Sequence, residues 1–138
     1  MTKVPSVVRL VHPSTLLQMF KEVGYEKAIM EKKAIAKKPY KDDPAPPHQS
    51  PGSRSQSVPY FLMGHKIAVC HQYTRPDGSI GASGKPDPKM LEYQGLRLYT
   101  HSTKCNCKVC SGPPEKWKNV LAQMKKAKIR SNQDKTKP

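Results

Sequence analysis

Cys105, Cys107 and Cys110 fall within six residues, in the run Lys-Cys-Asn-Cys-Lys-Val-Cys, and no other feature of the chain constrains its fold as strongly. A C-x-C-x2-C run on a tight turn brings three soft sulfur donors together. Thiols beside lysines ionise easily, and the thiolate is the state that Zn2+ requires of a ligand. Two residues are candidates for the fourth ligand. His101 would complete H-x3-C-x-C-x2-C within ten residues, whereas Cys70, at the end of a distant apolar run, would complete an all-cysteine site joining two segments. Either choice makes a closed, structural site of zinc-knuckle type. The competing uses of these cysteines are weaker. Disulfides between such close neighbours close only short loops, and the spacing is not the usual one for an iron–sulfur cluster. Free thiols on a loop are the remaining alternative.

A metal staple suits the rest of the composition. With 138 residues, 36% apolar content, 14 prolines and a mean hydropathy of −0.74, the chain can bury one small core, and small cores are commonly supplemented by a metal. The formal net charge of +15 comes from 25 basic and 10 acidic residues. Self-repulsion on that scale favours a polyanionic partner, with RNA or DNA preferred over an anionic membrane. No apolar run approaches the roughly 20 residues of a bilayer-spanning helix. Residues 1–21 carry Lys3, Arg9 and Lys21 and no acid, as an organellar presequence would. They lack the apolar core and cleavage site of a secretory signal, and the expectation is a cytoplasmic protein that keeps its start.

Along the chain, Ser14 is a good N-cap after Pro13, and apolar Leu16, Phe20 and Val23 predict a helix from about residue 15 to 38. Residues 39–59 hold six prolines among Ser, Gln, Asp and Gly and read as a long Pro-rich linker. A β module follows. Tyr60–Met63 and Lys66–Tyr73 form a strand pair broken at Gly64, Arg75-Pro76-Asp77-Gly78 a turn, and Leu96–Thr100 a returning strand. Alternation would place Ile67, Val69 and His71 on the core face, with Ala68, Cys70 and Gln72 opposite. The glycine-rich stretch 78–89 resembles a phosphate loop only superficially: its glycines are one residue too far apart, and Pro86 stands where Ser or Thr would bind magnesium. Backbone N–H groups and Lys85 remain able to contact a phosphate. After Pro113-Pro114, Trp117, Val120, Leu121 and Met124 form an apolar stripe on a lysine-rich helix. Trp117 is expected to anchor the core.

The expected fold class is therefore α+β: a small antiparallel sheet flanked by N- and C-terminal helices, with a zinc knuckle and a long Pro-rich linker. By composition the chain divides into a helical segment (1–38), the linker (39–59), a module of strands, cysteine cluster and basic helix (60–130), and a mobile basic tail (131–138). Residues 101–138 carry ten Lys or Arg against Glu115 and Asp134, more than half of the net charge. The expected function is zinc-stabilised, non-catalytic binding of RNA or DNA as an accessory or structural subunit of a nucleoprotein assembly. Phosphates would be neutralised by Lys116, Lys118, Lys125, Lys126, Lys128 and Arg130, with Arg75, Lys85 and Lys89 as a second contact surface. Two alternatives stand beside it. A small toxin-like or metal-dependent nuclease would use His65 and His71, although no catalytic signature joins them. An adaptor for a larger protein would dock through the Pro-rich linker and the Trp117 helix.

Overall fold

The computed structural model describes residues 7–81, 83–101 and 105–136, and the side chains as far as residue 128. In chain order the elements are β1 (Val7–Leu10), α1 (Pro13–Glu22), α2 (Tyr25–Met30), β2 (Ile35–Ala36), β3 (Lys41–Pro44), β4 (Arg54–Leu62), β5 (His65–Thr74), β6 (Asp87–Tyr93), β7 (Leu96–Tyr99), α3 (Lys108–Ser111) and α4 (Trp117–Thr136). Strands and helices combine in one α+β architecture around a seven-stranded sheet of order β1-β7-β6-β5-β4-β2, with β3 also on β4. The sheet is mixed rather than the small antiparallel one expected, because β1 joins β7 in parallel, Val7 opposite Leu96. Among the described residues no helix is long and apolar enough to cross a membrane.

Two hairpins build the centre. Met63 and Gly64 (φ 51° and 81°) turn β4 into β5, and Gln94 and Gly95 (φ 51° and 75°) turn β6 into β7. Positive φ at both central residues is the condition of a type I′ turn, whose twist matches that of the paired strands. β6 was not expected, since Pro88 lies within it. Pro88 is tolerated because the register shifts between Val69 and Cys70, and the irregularity absorbs its missing N–H.

Residues 39–59 are not a linker. Lys41–Pro44 pairs antiparallel with Arg54–Ser57, and β2 continues the same edge farther along β4. Pro39 precedes this edge strand and Pro44 ends it, where a missing donor costs least and an unpaired edge would invite association. The single helix expected over 15–38 is also divided. Gly24 takes φ 87°, a left-handed conformation that ends α1, and α2 stops after one and a half turns to deliver β2. Pro13 opens α1 at its first turn instead of merely ending a strand. Its cap is His12, whose Nδ1 accepts the Ser14 N–H at 3.0 Å, so Ser14 lies inside the helix.

One face of the sheet carries the core. Leu16, Met19 and Phe20 of α1 and Val120 and Met124 of α4 are fully buried against Leu91, Leu96 and Leu98 of the sheet. α1 lies over β6, and α4 over β1 and β7. Each such aliphatic or aromatic side chain contributes about 1.5–3 kcal/mol by leaving water. The facing of β5 is the reverse of that expected: Ala68, Cys70 and Gln72 point into the buried side, while Val69, His71 and Tyr73 are half-exposed, although Ile67 is buried. Ala68 and Cys70 are small enough for close approach from the covering layer. Gln72 is tolerated because Tyr60 donates to its Oε1 and its Nε2 donates to Thr74.

Candidate metal centre

The cysteine cluster is held between two pieces of the core. His101 follows β7 by two residues, its ring edge-on to Tyr99 at 5.9 Å between centroids. Cys107 caps the short α3, Cys110 lies within it, and Ser111 closes the turn by donating from its N–H and its Oγ to the Cys107 carbonyl at 2.9 and 2.7 Å. Behind it, Thr15 donates to the Glu115 carbonyl at 2.6 Å, and Arg9 pairs with Glu115 at 3.2 Å, tying the entry of α4 to β1 and α1.

This framework brings four donor atoms together. His101 Nδ1 lies 3.3 Å from Cys105 Sγ, 3.7 Å from Cys107 Sγ and 3.8 Å from Cys110 Sγ. All four ligand atoms lie within 4.8 Å of one another. A tetrahedron with Zn–S of about 2.3 Å and Zn–N of about 2.0–2.1 Å has N···S edges of about 3.5 Å and S···S edges of about 3.8 Å. The observed edges therefore enclose a volume of the right size, and the Cys3His donor set suits a borderline-soft, tetrahedral ion. The cluster could bind a metal such as zinc.

Its electrostatics point the same way. The Cys107 thiol is drawn down to about 6, first by a hydrogen bond from the Cys110 backbone and then by bonds within the cluster. Cys110 is pushed up to about 11 by local desolvation and by the neighbouring thiols. One thiolate forms readily and a second is resisted, a conflict that a bound dication removes. No cysteine is disulfide-bonded.

Of the two candidates for fourth ligand, His101 belongs to this group and Cys70 does not. Cys70 is completely buried in the core on β5, and burial raises its thiol pKa far above the ordinary range.

The lysines expected to meet phosphate divide into two kinds. Lys116, Lys118, Lys125 and Lys126 are exposed on and just before α4 and have no carboxylate partner among the described residues. Lys128 is half-buried, its ammonium near the Gly95 turn, and the Arg130 side chain lies outside the described residues. The tail expected from residue 131 is helical to Thr136, and residues 137–138 lie outside the described set. On the second surface, Lys89 pairs with Asp87 at 2.9 Å and Lys85 with Glu26 at 3.9 Å, while Arg75 is exposed at its turn. Lys108, between Cys107 and Cys110, is exposed as well.

His65 and His71 do not form a pair. They are six residues apart on one strand, about 20 Å at roughly 3.3 Å per residue. His71 instead bonds the Ser55 hydroxyl at 3.0 Å. Its pKa is lowered by burial and by Lys89 and Lys41, against an opposing contribution from Asp87. Trp117 packs partly buried against the core, edge-on to Tyr93 at 6.4 Å, and donates from Nε1 to Glu22 at 2.6 Å.

No protein-family model, curated protein or solved structure matches the chain.

Proposed function

We propose that this protein is a zinc-stabilised, non-catalytic nucleic-acid-binding protein that serves as an accessory or structural subunit of a nucleoprotein assembly. The observation that carries the reading is the array of Lys116, Lys118, Lys125 and Lys126, exposed and without carboxylate partners among the described residues. These cations sit on, or for Lys116 just before, a helix whose inner stripe, Val120, Leu121 and Met124, is buried. A helix fixed to the core on one side and unneutralised on the other offers a rigid row of charges to a phosphate backbone. Zinc at His101, Cys105, Cys107 and Cys110 would brace the segment that leads into it. The elements available to an adaptor are engaged within the fold, since 39–59 forms β3 and part of β4 and Trp117 is packed on Tyr93.

The test is the salt dependence of binding to RNA and DNA oligonucleotides. Replacing the four lysines by Gln should weaken binding to all sequences alike and reduce the slope of log K against log salt by about 2.8–3.6, each phosphate contact contributing about 0.7–0.9. An unchanged slope would remove α4 from the interface.

A further inference from the structure

α1, α2 and α4 cover only part of the sheet's buried side. Over β4 and β5 the cover stops, and a cleft of about 960 Å³ opens between these strands and the α2–β2 connection, closed at its far end by the 77–80 turn. Its walls are apolar where Ile29, Ala34 and Val58 line it, yet its floor is a row of polar side chains. Tyr60 donates to Gln72 Oε1, Gln72 Nε2 donates to Thr74 Oγ1 at 3.0 Å, and Thr74 in turn donates to Gln56 Oε1 at 2.7 Å. This ladder has a fixed polarity. The Tyr60 oxygen can still accept a hydrogen bond, and the second amide hydrogen of Gln72 can still be donated. A donor and an acceptor side by side, between apolar walls, match the alternating edge of a nucleobase.

The rim supplies a second, independent observation. α2 ends in a Schellman closure, with Lys33 N–H on the Ala28 carbonyl at 2.8 Å and Lys32 N–H on Ile29 at 3.1 Å. The left-handed position of that motif, which glycine normally fills, is held by Lys32 at φ 61°. An unbranched side chain tolerates this conformation, as Met63 and Gln94 do in their turns, at a small cost that glycine would avoid. Lys32 lines the cleft and makes no ion pair among the described residues, whereas the Lys37 ammonium, also at the cleft, is stacked 4.1 Å over the Phe61 ring. Asp77, the one carboxylate among the described residues that line the cleft, is turned into its own loop, accepting from the Ser79 N–H and hydroxyl.

We infer that this cleft takes the base of an unpaired nucleotide, its edge on the Tyr60–Gln72–Thr74 ladder and its phosphate on Lys32. The inference deepens the nucleic-acid reading above, adding a preference for single-stranded over duplex partners.

The four nucleoside 5′-monophosphates, titrated singly into isotope-labelled full-length protein, test the cleft apart from the helix. At least one should give saturable shifts of the Gln56 and Gln72 side-chain amides, larger than any given by inorganic phosphate. Thr74→Val, which breaks the ladder without changing its shape, should weaken that binding about ten- to a hundredfold, the range of a lost base contact. Lys32→Gly should weaken it too, while the melting temperature holds or rises because the left-handed position is relieved. The fourfold Lys→Gln variant of α4 should leave it unchanged. If oligonucleotides bind but no monophosphate moves these amides, or phosphate alone moves them equally, the inference is overturned and the helix reading stands. If monophosphates bind at the cleft while the α4 variant keeps its salt slope, the helix reading falls and this one survives.

Discussion

Replacing Cys107 by Ser should strip the protein of tightly bound zinc and lower its melting temperature by an amount that follows from the site. The four donor atoms already stand at tetrahedral spacing, with His101 Nδ1 between 3.3 and 3.8 Å from the three sulfurs, so binding requires little rearrangement. Loss of one thiolate should weaken the site by at least about 100-fold, the upper end of what loss of a supporting outer-shell residue costs. With free zinc in excess, a 100-fold change in affinity is about 2.7 kcal/mol of folding free energy. For 138 residues at about 2.1 cal/mol/K each, the unfolding entropy is about 0.29 kcal/mol/K, and the shift is about 9 °C. Elemental analysis beside calorimetry, with and without a chelator, measures both quantities. One zinc per chain in the parent, little in Cys107→Ser and His101→Ala, and a chelator effect that these two variants lack are the expected results. Cys70→Ser supplies the control: a hydroxyl forced into the core should cost about 1–3 kcal/mol while zinc stays at one per chain. A parent that binds no zinc and melts identically in chelator would refute the site, and zinc lost in Cys70→Ser but kept in His101→Ala would refute the assignment of its fourth ligand.

Other consequences follow from the same structure. Phe20→Ala, which empties a fully buried position, should cost about 3–5 kcal/mol, read as a lower denaturation midpoint at unchanged m-value. Zinc-free protein at pH 7 should be alkylated first at Cys107, whose thiol is drawn down to about 6, and at Cys70 only on unfolding, as peptide mapping after brief iodoacetamide treatment would show. His71 has a lowered folded-state pKa, so the fold favours its neutral form. Its contribution is complete above the ordinary histidine value near 6.5 and is lost as the pH falls through the folded-state value. His71→Asn should accordingly show a smaller loss of melting temperature between pH 7 and 5 than the parent at equal zinc content.

Much of the site was legible because its signals are local. Three cysteines in six residues reach one another whatever the rest of the chain does, and a stripe at 117, 120, 121 and 124 selects one face of a helix by its period alone. The sequence by itself thus determined the cluster, the basic helix and its inward face. The choice of His101 over Cys70 required the tertiary structure, since it depends on which side of β5 is covered. Alternation defines two faces without saying which of them meets the helices. Similarly, Pro39 and Pro44 read as a linker until β4 offers an edge on which β3 can pair and a missing donor costs little. By sequence, Gln56 reads as part of the linker and Gln72 as ordinary strand polarity. Residues 2 and 16 positions apart become one ladder only when antiparallel pairing sets Gln56 opposite Gln72, because long-range register, not local propensity, decides which polar groups share a floor.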